Sequence, residues 1–230
     1  MFYPYFDPTY IILLPAILFA LFAQSMVQTT FNKYQRVRAY SGMTGAMVAR
    51  NLLNSHGLSN VRIEMTNRRL GDHYDPRSKV LRLSPEVYQS TSIAALGVAA
   101  HETGHALQHA NEYIPLNVRN SLVPAANLGS TLAMPLFFIG LIFAQQSLMQ
   151  IGIIAFSAAV LFQVVTLPVE FNASRRALVM LKDSGYLVNN EVRQAKSVLT
   201  AAALTYVAAT AVAVMHLIRL LVLRGMRRDD

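Results

Sequence analysis

Four apolar runs decide what this 230-residue chain can become. They are Tyr10 to Thr30, Leu122 to Ala144, Leu148 to Pro168 and Thr200 to Leu223. Each matches the roughly 20 helical residues needed to cross the hydrocarbon core of a bilayer. Inside that core a backbone must satisfy its own hydrogen bonds, so such runs are read as helices. Composition agrees: 53% of residues are hydrophobic and 14% charged, whereas a soluble domain has about a quarter charged. The chain reads as an α-helical integral membrane protein of three or four spans.

Charge orients the spans. Lys33, Arg36 and Arg38 follow the first run, and Arg175 and Arg176 follow the third. The positive-inside rule then places the N-terminus outside and the zone from Lys33 to about Arg119 in the cytoplasm. Met1 to Tyr10 has no basic residue and no cleavage pattern, so it is no secretory signal; Tyr3, Tyr5 and Tyr10 suit an interfacial anchor. The second and third runs are joined by the short Gln145-Gln146-Ser147, which makes a tight membrane hairpin, and Pro124 and Pro135 are tolerable there. The fourth run is ambiguous. It holds His216 and Arg219 and ends at Arg224, Arg227 and Arg228, so a crossing sets these cations outside, against the rule. The alternative lays it along the cytoplasmic region; its length favours crossing. The net charge of +8 is expected to face anionic lipid rather than nucleic acid, for which no motif is present. With no Cys, disulfide and thiolate chemistry are excluded.

Between the first and second spans the sequence changes character. Ser41 can cap a helix through Met43 to Leu53, with Gly57 as its stop. Val61 to Met65 and Lys79 to Leu83 alternate like strands, and two or three short antiparallel strands are expected. Leu70 to Arg77 is rich in turn residues. Ser84-Pro85-Glu86 has the form of a helix start, and Ser92 opens a further helix. That helix contains His101-Glu102-Thr103-Gly104-His105. Residues four apart lie nearly above one another on a helix, so two imidazoles meet at one point. Two such nitrogens suit Zn²⁺, and Glu102 falls where it can take a proton from a water at the metal. The flanks, Ile93 to Ala100 and Ala106-Leu107, are small and apolar. The helix is therefore packed in protein or lipid, where unpartnered ionisable groups are costly.

A catalytic zinc keeps three protein ligands. His109 lies one turn past His105, beyond the metal, and the longer pattern with a third His would need it where Asn111 stands. Glu170 is the better third ligand, because a charge at the end of a membrane helix is rare and usually functional; the alternative is an interfacial charge paired with Arg175 or Arg176.

Gly71-Asp72-His73-Tyr74-Asp75-Pro76-Arg77, Leu83-Ser84-Pro85 and Ala99 to Gln108 resemble the YugP-type bacterial membrane zinc metallopeptidases over nearly the whole chain. More distantly, the plan is similar to the HtpX and CAAX-prenyl-protease group, which also inserts spans between H-E-x-x-H and a Glu-x-x-Ala-Asp ligand motif. Here Glu170, Ala173 and Ser174 occupy the matching positions, with Ser where that group has Asp. The resemblance implies a small cytoplasmic α+β zincin-like metallopeptidase domain. It would organise the chain as an anchor (1–32), the zincin-like domain (33–120), a membrane hairpin (121–169), a third-ligand segment (170–199) and an apolar helix with a basic tail (200–230).

The expected activity is a membrane-anchored endopeptidase, acting on peptide or protein substrates at the bilayer, with membrane-protein turnover as its expected role. Zn²⁺ would be held by His101, His105 and Glu170, with Glu102 as general base. His73 or Tyr74 would steady the oxyanion, unless Asp-His-Tyr-Asp is simply a capped turn. A strand at 61–65 or 79–83 would align substrate by edge pairing. Two rivals stand beside this reading. An intramembrane protease would take its third ligand from a later Asp-Gly, and none follows the zinc helix. A non-catalytic zinc-binding scaffold would have no need of Glu102.

Overall fold

In the computed structural model residues 8–68 and 71–226 are described; Tyr3, Tyr5, Leu70, Arg227 and Arg228 lie outside them. The fold is mostly helical. A 3₁₀ turn, Pro8–Leu13, leads into α1 (Leu14–Tyr34). There follow α2 (Gly45–Ser55), β1 (Arg62–Met65), β2 (His73–Asp75), β3 (Val80–Leu83), the single turn α3 (Pro85–Tyr88) and α4 (Ile93–Ala110). Three long helices complete the chain: α5 (Ile114–Ile142), α6 (Gln146–Asp183) and α7 (Asn190–Met226). The 3₁₀ turn with α1, and each of α5, α6 and α7, is long and apolar enough to cross a membrane. All four apolar runs are thus helical, and the helices outrun them. α6 continues unbroken through Pro168 for 15 residues beyond that proline to Asp183.

The chain forms two compact units. The first comprises the start of α1, α5 from Val118, α6 to Leu167 and α7 from Thr205. Its core is Phe137, Met149, Ile153 and Leu220. α5 and α6 form the hairpin expected from the short connector, turning at Ala144 in the left-handed region (φ 54°). Across this unit, Arg219 Nε donates to Thr9 Oγ1 at 2.9 Å, its guanidinium lies 3.9 Å from the Tyr10 ring centre, and Arg224 reaches Gln150 Oε1. Thr9 and Tyr10, the last turns of α7 and the hairpin tip therefore share one end of the unit. The fourth run lies within one continuous helix, α7, which is long and apolar enough to cross a membrane.

The second unit comprises Gln24–Asn117 with Pro168–Leu204. The three-stranded sheet has the order β1-β3-β2. β2 pairs antiparallel to β3, with Tyr74 opposite Leu81, but β1 pairs parallel to β3, with Ile63 opposite Leu81. The expectation of an all-antiparallel sheet is corrected on two counts. His73–Asp75, inside a stretch read as turn, is a strand, so it takes one side of β3. β1 must then take the other side, and its direction there is parallel. The helix cap also moves: Thr44, not Ser41, accepts the Met47 N–H at the start of α2. Ser92 caps α4 through the Ala95 N–H, and Ser84-Pro85 opens α3 as expected.

Two apolar clusters hold this unit. One joins α2 and α4 to α6 and α7 through Leu52, Leu96, Ala177, Leu181 and Leu199. The other joins α4 to the sheet through Leu81, Leu83, Ala95 and Ala99. α4 is thereby covered on both sides, which explains why its sequence is small and apolar almost all round.

Candidate metal centre

Packing brings α4 and α6 unusually close at Gly104. A Cβ there would stand 2.8 Å from the Ala173 carbonyl oxygen, nearer than a side chain can approach backbone. Glycine inside a helix costs about 1 kcal/mol relative to alanine, and here that cost allows the two backbones to touch. The contact sets Glu170, one turn before Ala173, against the His101 and His105 face of α4.

The result is a cluster of three donors. His101 Nε2 lies 3.3 Å from Glu170 Oε2 and His105 Nε2 lies 3.6 Å from the same oxygen. All three donor atoms fall within 4.8 Å of one another. Two ligands each about 2.0–2.2 Å from a shared tetrahedral ion stand roughly 3.3–3.5 Å apart, so these spacings fit one Zn²⁺. The rings meet edge to face with centres 4.8 Å apart. Glu170 is 4% exposed and its Oε2 accepts no hydrogen bond. A buried carboxylate oxygen left without a donor is expensive. A cation supplies what is missing, so the residues fit the metal.

Proton placement points the same way. His105 Nδ1 contacts Gln108 Oε1 at 3.0 Å. The Gln108 amide is fixed by its other end, which donates to the Val169 carbonyl at 2.8 Å and to Asn172 Oδ1 at 3.0 Å. A carbonyl can only accept, so Oε1 must face His105, and His105 must donate from Nδ1. In neutral imidazole this leaves the Nε2 lone pair free for a metal. Arg176 Nε donates to Asn172 Oδ1 at 2.8 Å and completes the chain. Ser174 Oγ lies 3.1 Å from His101 Nδ1 and can accept its proton in the same way. The serine standing where the wider group has Asp thus still reaches a histidine. Glu170 is not paired with Arg175 or Arg176.

Glu102 is buried on α4. Its charge acts on His105, where burial opposes protonation but the nearby Glu170 and Glu102 carboxylates carry the pKa above the ordinary imidazole value. Two acids around two imidazoles make a site that attracts positive charge. Glu102 also faces Asp72. Burial is the main cause that raises the Asp72 pKa, with the Glu102 charge adding to it, although Asp72 accepts from the Ser84 N–H at 2.7 Å and from the Ser84 hydroxyl.

The upstream candidates are placed differently. Tyr74 Oη lies 2.9 Å from His109 Nδ1, one turn past His105. His73 is exposed, and its Nδ1 donates to the Gly71 carbonyl at 2.7 Å. His109 is outside the three-donor cluster. Asp75 is the capping residue of this stretch, accepting from the Arg77 N–H and the Ser78 hydroxyl. β3 is central in the sheet, which removes 79–83 as a substrate-pairing edge; β1 and β2 are the outer strands. Gln108 and Asp72 escaped sequence reasoning. A polar residue three positions past the second His, on the metal face, was the available signal for Gln108.

Comparison with known proteins agrees with this geometry. Residues 9–225 match the family model described as "Putative neutral zinc metallopeptidase". The chain is 46% identical over 211 residues to "Putative membrane protease YugP" of Bacillus subtilis (strain 168), covering 92% of this chain and 94% of that protein. No solved structure matches it.

Proposed function

The chain belongs to the neutral zinc metallopeptidase family, and from that premise we propose that it is a membrane-anchored zinc endopeptidase. One observation carries the reading: a buried Glu170 oxygen without a hydrogen-bond donor faces two imidazole Nε2 atoms. His101, His105 and Glu170 would hold Zn²⁺, leaving one position open. The ion, when bound, supplies Lewis acidity toward a peptide carbonyl and lowers the pKa of water.

The remaining work falls to side chains. Glu102, about a quarter turn from the histidines at 100° per residue, takes a proton from the attacking water and passes it to the leaving amine. Gln108 and Ser174 hold the histidine rings by Nδ1, so both Nε2 atoms keep their aim. For the oxyanion, His73 is the weaker donor. With its Nδ1 proton on Gly71, its neutral Nε2 has no proton to give. Tyr74 is the better one, because a hydroxyl donates without carrying charge. β2, the edge strand that bears Tyr74 and packs on α4, is suited to pair with an extended peptide. The substrates are proteins at the bilayer, which fits a role in membrane-protein turnover.

The orientation follows from charge. The zinc-bearing unit carries most of the Lys and Arg and is proposed to face the cytoplasm. In this Cys-free chain, a Cys at exposed Ser184 should resist an impermeant thiol reagent in intact cells, and one at exposed Ser147 should react; the reverse pattern would overturn the orientation. Catalysis itself is tested by Glu102→Gln. This variant should retain zinc while hydrolysis of an unfolded protein falls by at least the roughly 10²–10⁴ expected for general-base loss. A near wild-type rate would show the mechanism to be wrong. A zinc-replete wild type that cleaves neither membrane nor soluble protein would favour a scaffold.

A further inference from the structure

Behind the metal centre lies a second feature that catalysis does not use. α6 and α7 part into an open groove of about 590 Å³, within the range of ligand sites. Phe171 and Leu178 of α6 and Leu199 and Leu204 of α7 form its apolar walls, and Arg175 and Lys196 line it as well. Both cations are exposed, and neither forms an ion pair with a described residue. We propose that this groove binds one anionic phospholipid, its phosphate between Arg175 and Lys196 and its acyl chains against the apolar walls.

Three observations select a lipid. The groove lies where both helices change character: on α7 it straddles Thr200, where the apolar run begins, and on α6 it opens at Phe171, three residues past Pro168, where the apolar run ends. This is where membrane helices meet headgroups, and where Lys and Arg extend along apolar surface toward phosphate. Two unpaired cations lining an apolar trough complement a headgroup and its chains together. Finally, the groove touches the metal centre from the wrong side for cleavage. Its lining residue Ser174 contacts His101 at Nδ1, whereas Glu170 is met by Nε2. A peptide in this groove would lie behind the histidine, away from the atoms that react. The proposal therefore stands whether or not the centre cleaves peptides.

Native mass spectrometry of the full-length, zinc-loaded protein tests it, with phosphatidylglycerol and phosphatidylcholine of identical chains offered in mixed micelles. The wild type should keep one phosphatidylglycerol in preference to phosphatidylcholine. At about 1 kcal/mol per basic residue near a lipid surface, the double variant Arg175→Gln/Lys196→Gln should lose that preference by about tenfold or more. The charge-matched control Lys182→Gln/Arg193→Gln removes two exposed cations outside the groove and should keep it, as should Arg175→Lys/Lys196→Arg. Equal zinc content across the set shows that the fold is intact. Absence of a preference in the wild type, or its survival in the double Gln variant, would overturn the proposal. So would displacement of the lipid by inorganic phosphate alone, or by a soluble acidic peptide at lower concentration than competing lipid.

Discussion

The two units of this molecule use the same helices for opposite purposes. In the first, α5, α6 and α7 pack through apolar side chains and close glycine contacts between α5 and α6: Gly129 against the Ala155 carbonyl, Gly140 against the Met149 backbone and Gly152 against the Ala133 carbonyl. Many of their large apolar side chains, such as Leu128, Ile142, Ile154 and Leu161, face outward, as they must if lipid replaces water around them. In the second, α6 and α7 run on into a region where Glu102, Thr103, Gln108 and Glu170 are buried. There too a glycine, Gly104, lets two helices touch. Close packing is common to both units. The difference is what the contact brings together: hydrocarbon in one, and three metal donors with their proton-holding partners in the other. A helix contact becomes a site only where the residues beside it need a partner that protein does not supply.

The largest effect that tests this contrast is loss of a donor. His101→Ala, His105→Ala and Glu170→Ala should each reduce zinc, measured by elemental analysis, from about one equivalent to near background, since two ligands rarely hold a structural or catalytic ion. Full zinc in Glu170→Ala would mean that α6 supplies no donor, and the distinction between the units would fail. Gly104 and Gly129 give the next effect. Overpacking of this kind costs typically about 1–3 kcal/mol. Gly104→Ala should separate α4 from α6, weaken zinc binding and slow proteolysis together. Gly129→Ala should lower thermal stability by a comparable amount with zinc affinity unchanged. Equal losses of zinc affinity in both variants would show that the units do not divide the work as described.

The spans were legible from composition, because length and uniform apolarity are read directly and depend on no partner. The pair His101 and His105 was legible for a similar reason: helix periodicity alone brings them together. Glu170 was found only through its oddness as a charge beside a membrane run, with 64 residues between it and His105. The parallel pairing of β1 with β3 was not legible, since alternation marks a strand and says nothing of its neighbour. Nor was the Gln108 network. Its meaning depends on the Val169 carbonyl, 61 positions away. A smaller effect tests it. Gln108→Leu keeps the volume but removes the acceptor for His105, and zinc affinity should fall by about 10–100-fold, less than in any ligand variant. An unchanged affinity would mean that His105 needs no such partner.

The smallest effect separates two acids at the ends of β2. Asp75 is held down to about 2 by the Ser78 hydroxyl first and the Arg77 N–H next. Its folded pKa lies below the unfolded value, so its stabilisation is present above about pH 4 and is lost as the pH falls through 2. Asp72 has the opposite sign. Burial raises its folded pKa, so the fold holds that proton more tightly; this contribution is complete below about pH 4 and is lost as the pH rises through the raised value. Unfolding temperature of the metal-free protein against pH reads both. Asp75→Asn should unfold below the wild type at pH 7, by no more than about 2 °C for a largely solvated group in a chain of this size, and the two curves should meet near pH 2. Asp72→Asn keeps an oxygen for the Ser84 N–H and carries no charge beside Glu102. It should match or exceed the wild type at pH 7 and converge with it on mild acidification. Were both variants to shift the curve in the same direction at pH 7, Asp72 would be a plain capping residue like Asp75, and the charge coupling between β2 and the Glu102 face of α4 would have no thermodynamic weight.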